Sequence, residues 1–146
     1  MAAGAGLRTW AAVGGIRGPV ASGPLILIVE DDTCVRESLA ELLDMEGYRV
    51  ADARHGEEAL AKLATISPAL VILDLHMPVL DGERFLARLR ADERLRELQV
   101  VLMSGSASGR TVARLPVQAV LPKPFDVDEF LRLVARLAPL QPVTPA

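Results

Sequence analysis

Carboxylates stand at the ends of two apolar runs in this chain. Glu30, Asp31 and Asp32 follow Leu25-Ile26-Leu27-Ile28-Val29, and Asp74 follows Ala69-Leu70-Val71-Ile72-Leu73. Ser104 follows a third apolar run, and Lys123 sits between two prolines after a fourth. Clustered carboxylates repel each other unless a cation neutralises them, and oxygen-only ligands favour a hard ion such as Mg²⁺. A hydroxyl can donate to an oxyanion, and a lysine supplies a point charge for a phosphate oxygen. The set reads as a metal-assisted phosphate site in which one carboxylate is a candidate for modification.

The elements that must bring these groups together follow from hydrophobic patterning. Apolar runs of five, rich in Val, Ile and Leu, read as strands buried on both faces, and so as a parallel sheet. Strands are expected at Leu25–Val29, Tyr48–Ala53, Leu70–Asp74, Val100–Met103 and Val117–Leu121, the second nearer an edge because it is more mixed. Helices are expected at Thr33–Glu46, Gly56–Ala64 and Gly82–Arg90, around Arg110–Leu115, and from Asp126 or Asp128 to Leu137. In the first, Val35, Leu39, Leu42 and Leu43 share one face. Asp32 or Thr33 can cap its start, and Gly47 fits the position after its end. Five β-α units imply an α/β fold, a flavodoxin-like doubly wound sheet of five parallel strands in order 2-1-3-4-5 with helices on both faces. In such a sheet all the strand ends named above point one way, to the carboxyl edge where ligands bind. Asp52 and Arg54 are read as solvated loop residues, and His55 as a loop residue near a helix start.

The chain has 146 residues and reads as one domain over 24–138. A flexible N-terminal extension is expected over 1–23 and a Pro-rich tail over 139–146. The net charge of −3 argues against a direct nucleic-acid surface, which needs clustered Lys and Arg. No apolar run approaches the roughly 18 residues of a membrane span. The one cysteine, Cys34, excludes an intramolecular disulfide and is expected to pack on its helix. A cytoplasmic location fits these features.

The chain resembles the receiver domain of bacterial two-component response regulators, of the stand-alone, chemotaxis-regulator-like kind. The matching segments are Leu25 to Asp32, Leu73-Asp74-Leu75-His76-Met77-Pro78 with Asp81-Gly82, Leu102-Met103-Ser104-Gly105, and Lys123-Pro124-Phe125. The resemblance implies that Asp74 is the phospho-acceptor, taking a phosphoryl group from a sensor histidine kinase or a histidine phosphotransfer protein. It implies Mg²⁺ as cofactor, held by Asp31, Asp74 and the backbone carbonyl of His76, with Glu30 acting through water. Ser104 and Lys123 would contact the phosphoryl oxygens, and Lys123–Pro124 is a candidate cis bond. The expected protein is a signalling phospho-acceptor rather than an enzyme, a monomer or weak dimer whose downstream protein target the sequence does not name.

Two departures from the family pattern stand out. Many receivers carry Tyr or Phe three residues before the lysine, where this chain has Val120, a β-branched side chain with few rotamers. The stretch from Ser104 to Lys123 is about three residues shorter than usual by comparison with the family pattern, with Pro116 closing a short fourth helix. These features point to output through a different surface, or to service as a phosphoryl carrier. The sequence leaves three alternatives: a phosphohydrolase of the haloacid-dehalogenase type, a pseudo-receiver, and a receiver cut from a longer regulator. The first expects a second Asp two residues after the nucleophile, where His76 stands.

Overall fold

The computed structural model describes residues 16–17, 23–75, 82–105 and 117–140. In chain order the described elements are β1 (Ile16–Arg17), β2 (Leu25–Val29), α1 (Thr33–Met45), β3 (Arg49–Ala53) and α2 (Gly56–Leu63). They continue with β4 (Leu70–Asp74), α3 (Gly82–Ala91), β5 (Val100–Ser104), β6 (Ala119–Pro122) and α4 (Val127–Leu137). Strands β3-β2-β4-β5-β6 are parallel neighbours, which is the order 2-1-3-4-5 counted from Leu25.

Two layers of helix cover the sheet because strand residues alternate between faces. Leu25, Leu27, Val29, Val71 and Leu73 point to one core, filled by Ala59 and Leu63 of α2 and Phe85, Leu86 and Leu89 of α3. Ile26, Ile28, Leu70, Ile72, Val101 and Met103 point to the other, filled by Leu39, Ala40 and Leu43 of α1 and Phe130 and Val134 of α4. The central strands β2, β4 and β5 are buried on both faces, which is why they read as unbroken apolar runs.

Helix α1 starts where the Asp32 side chain accepts from Val35 N–H. It ends at Gly47, whose φ of 102° suits glycine. There Gly47 N–H reaches the Asp44 carbonyl and Tyr48 N–H the Leu43 carbonyl, the paired bonds that close a helix end.

Four expectations need correction. Ile16–Arg17, inside the stretch read as a flexible extension, forms a strand antiparallel to β3, pairing Ile16 with Ala51 and Arg17 with Val50. An edge strand offers unpaired N–H and C=O groups, and this segment takes them. The last strand is Ala119–Pro122, running one residue past Leu121, as Pro122 pairs with Ser104. Cys34 is exposed rather than packed, because the buried stripe of α1 is carried by Arg36, Leu39, Ala40 and Leu43. Asp52 lies within β3 and is ion-paired, not solvated in a loop. The expected helix at Arg110–Leu115, Pro116, Asp81, His76-Met77-Pro78 and the tail from 141 lie outside the described residues.

Helix α3 approaches the end of β4 closely enough to exclude a side chain at its first residue. A Cβ on Gly82 would lie 2.9 Å from both Cα and O of Leu75 and 3.1 Å from the Asp74 carbonyl oxygen. These are backbone atoms that cannot rotate away. Gly82→Ala is therefore expected to destabilise the fold by about 1–3 kcal/mol, as overpacking does. Urea denaturation measures this, and an unchanged midpoint would mean that the chain after Asp74 yields freely.

Candidate functional site

Strand register brings the acidic groups together. Val29 of β2 pairs with Leu73 of β4, so Glu30 and Asp74 each follow one step beyond paired residues. On the other side of β4, Asp74 itself pairs with Met103, the residue before Ser104. Ser104 pairs in turn with Pro122, the residue before Lys123. Four segments distant in sequence thus end on one edge.

Glu30, Asp31 and Asp74 can each offer a carboxylate oxygen such that all three lie within 4.8 Å of one another. Glu30 and Asp74 are 1% and 4% exposed, while Asp31 is open to solvent. The Lys123 ammonium reaches into the cluster, 3.3 Å from Oε1 of Glu30 and 3.4 Å from Oδ1 of Asp74. Among the described residues, one ammonium faces three carboxyl groups. Oxygen donors with an open side suit a hard divalent cation, so the residues present fit Mg²⁺.

Glu30 is held at every polar group. Its N–H donates to the Ala53 carbonyl at 3.0 Å, and its Oε2 accepts from Asp32 N–H at 3.2 Å. Its main-chain carbonyl accepts from Arg36 Nη1 at 3.0 Å. Burial pushes its carboxyl up to about 7, helped by the neighbouring charge of Asp74 and opposed by the Asp32 N–H and Lys123. Burial alone would lower the Lys123 ammonium, but Glu30 and Asp74 outweigh it and hold the group above the usual lysine range.

The other candidates sit as follows. Ser104 is buried at the end of β5, and its carbonyl accepts from Lys123 N–H at 2.8 Å. The Lys123–Pro124 peptide is cis. Asp32 caps α1 instead of joining the three-carboxylate group. His76 lies outside the described residues.

The sequence does not single out Arg36, and it presents Asp52 as a solvated loop residue when the two are in fact paired. Arg36 is 8% exposed and pairs through Nε with Oδ2 of Asp52 at 3.3 Å. The signal was present in β3. Alternation puts Asp52 on the same face as Val50, and Val50 packs in the core that α1 covers. A charge facing a covering helix needs a partner there. Nearby, His55 caps α2, its Nδ1 accepting from Glu58 N–H at 3.2 Å.

Glu30 gives the metal-free protein a pH dependence of definite sign. Between 4.5, its ordinary value, and about 7 the folded chain holds a proton at Glu30 that the unfolded chain has lost. Stability therefore falls as pH rises through that window. Glu58, whose carboxyl is held below its ordinary value despite burial, by the Arg54 N–H and the charges around it, acts oppositely and loses its contribution in acid. The melting temperature of chelator-treated protein is expected to drop between about pH 5 and pH 8, and Glu30→Gln is expected to flatten that drop. Identical profiles for the two proteins would show that Glu30 does not titrate in this range.

Residues 26–135 match the response regulator receiver domain family. The response regulator MprA of Mycolicibacterium vanbaalenii is 41% identical over 122 residues, which cover 82% of this chain and 52% of that protein. The DNA-binding dual master transcriptional regulator RpaA of Synechocystis is 34% identical over 119 residues, covering 78% of this chain and 48% of that protein. The chain thus spans about half the length of these relatives. Among solved structures, a response regulator receiver protein from Pseudomonas putida superposes with a TM-score of 0.74 at 33% identity, covering 80% of this chain and 99% of that one. The receiver domain of a sensor histidine kinase from Pseudomonas aeruginosa, with magnesium coordinated in its active-site cleft, gives 0.74 at 27% identity, covering 80% and 98%. The matched segment contains all of the parallel sheet but Leu25 and each residue of the acidic edge, and on these grounds the chain belongs to the response regulator receiver domain family.

Proposed function

We propose that Asp74 accepts a phosphoryl group from the phosphohistidine of a sensor histidine kinase or a histidine phosphotransfer protein. The observation that carries this reading is the Lys123 ammonium lying between the buried carboxylates of Glu30 and Asp74. In the transfer, an Asp74 carboxylate oxygen forms a bond to phosphorus as the P–N bond breaks, and the leaving imidazole takes up a proton. Carboxylate and phosphoryl group are both negative, so the step needs positive charge in place beforehand. Lys123 supplies part of it. Asp31, Asp74 and the His76 carbonyl would hold Mg²⁺, with Glu30 acting through water. The cation, when bound, offsets charge on the transferring oxygens. Ser104 donates its hydroxyl toward the phosphoryl group once it is on Asp74.

The acyl phosphate replaces a charge of −1 by roughly −2 and adds acceptor oxygens. Ser104 and Lys123 reorganise around it, and the β5 and β6 ends they stand on carry that change outward. Val120 packs partly buried against the core shared with α2 and α3. A β-branched side chain fixed there does not swing as a ring would. This favours signalling through a surface other than the usual one, or service as a phosphoryl carrier.

The working unit is residues 24–138, flanked by an extension over 1–23 and a Pro-rich tail over 139–146. It acts as a cytoplasmic phospho-acceptor, a monomer or weak dimer, without touching nucleic acid itself. It catalyses only its own phosphorylation and dephosphorylation. No described helix is long and apolar enough to cross a membrane.

Intact mass after incubation with a small acyl phosphate and Mg²⁺ tests the central step. Wild type is expected to gain one phosphoryl group and Asp74→Ala none. Equal gain in both proteins would move the acceptor elsewhere. No gain in folded wild type, with either the small donor or a panel of phosphorylated histidine kinases, would overturn the reading.

A further inference from the structure

We propose that Arg36 and Asp52 form a positioning pair that aims the Glu30–Asp31 segment at the cation site and so sets its affinity for Mg²⁺. The proposal rests on the reading of the acidic cluster as that site. Neither residue belongs to the three-carboxylate group itself.

The geometry begins with a rigid fork. An arginine guanidinium is planar, and its donors keep fixed mutual directions. In Arg36, Nη1 donates to the Glu30 carbonyl at 3.0 Å while Nε faces Oδ2 of Asp52 at 3.3 Å. One planar group is thus anchored on β3 and grips the chain at the point where β2 ends. The anchor is itself braced. Lys62 of α2 donates to the Asp52 carbonyl, and its ammonium lies 3.8 Å from Oδ1 of the same residue.

What the fork grips matters. The Glu30 N–H is already fixed on Ala53, and its carboxylate on Asp32 N–H and Lys123. The carbonyl bond from Arg36 fixes the remaining main-chain group, and with it the plane of the Glu30–Asp31 peptide. Asp31 is exposed. The direction of its carboxylate depends on that peptide plane on one side and on the cap at Asp32 on the other.

Stability alone is a poor account of this arrangement. The Arg36 and Asp52 side chains are 10% and 17% exposed. Ion pairs this deep lose much of their Coulomb attraction to desolvation, and apolar replacements are often no less stable. Groups that orient the ligands of a metal commonly change its affinity ten- to a hundredfold.

The sign of the effect separates positioning from simple charge. If Arg36 acted only through its charge, removing a cation near the cluster would strengthen Mg²⁺ binding. Positioning predicts the reverse. The test is calorimetric titration of metal-free protein with Mg²⁺, on samples shown to be folded by circular dichroism, for wild type, Arg36→Met, Arg36→Lys and Asp52→Asn. Arg36→Met leaves Asp52 paired with Lys62, which protects the fold. It is expected to weaken Mg²⁺ binding about ten- to a hundredfold. Arg36→Lys keeps the charge but not the two-donor fork, and is expected to weaken binding as well. Asp52→Asn is expected to weaken it by less, because the bond to the Glu30 carbonyl survives. Unchanged or tighter binding in Arg36→Met, or full affinity in Arg36→Lys, would overturn the proposal. Should Arg36→Met not fold, Arg36→Lys and Asp52→Asn decide the matter alone. Wild type that binds no Mg²⁺ would remove the site reading and this proposal with it, whereas wild-type binding with unaffected variants would remove the proposal only.

Discussion

Three carboxylates within reach of one point are the constraint on which the rest of this structure depends. Two of them are buried, where an unpaired charge is costly. The chain meets this cost in three ways. It inserts the Lys123 ammonium between Glu30 and Asp74. It raises the affinity of Glu30 for a proton. It leaves Asp31 open to solvent. An oxygen-donor cluster with one open member fits a hard divalent ion.

Holding such a cluster requires a scaffold that does not relax. The parallel sheet provides it, because strands β2, β4 and β5 are packed on both faces and their ends have little freedom. Register then does the placing. Adjacent parallel strands deliver Glu30 and Asp74 to the same level, and β5 and β6 deliver Ser104 and Lys123 beside them. The Lys123 N–H bond to the Ser104 carbonyl fixes the last of these relations through main chain. Transfer of a phosphoryl group, the step proposed for Asp74, is largely a matter of positioning and electrostatics, and a rigid edge of this kind suits it.

On the α1–β3 side of the edge, the chain uses charge again. Arg36, Asp52, Lys62 and Glu58 form a run of ion pairs that ties α1, β3 and α2 together beside the acidic cluster. On the other side, Val120 and Leu121 are directed to opposite cores.

The sequence by itself determined the strands, their order and the acidic edge. Runs such as Leu25–Val29 and Leu70–Asp74 are short and rich in branched residues, which favours buried strands, and alternation with helices leaves few ways to connect them. The caps at Asp32 and Gly47 were also legible, since they depend on neighbours a few residues away. What the tertiary structure decided are relations that cross the sheet. Asp52 looked like a solvated residue because its partner, Arg36, lies sixteen positions earlier on a different element. The strand at Ile16–Arg17 depends on an open edge of β3, which no local pattern reveals. The raised carboxyl of Glu30 belongs to the same class, because burial and the charge of Asp74 produce it against the opposing charge of Lys123, and both charges arrive from distant segments. Local geometry is written in short spacings along the chain; charge compensation is settled only when the chain has closed on itself.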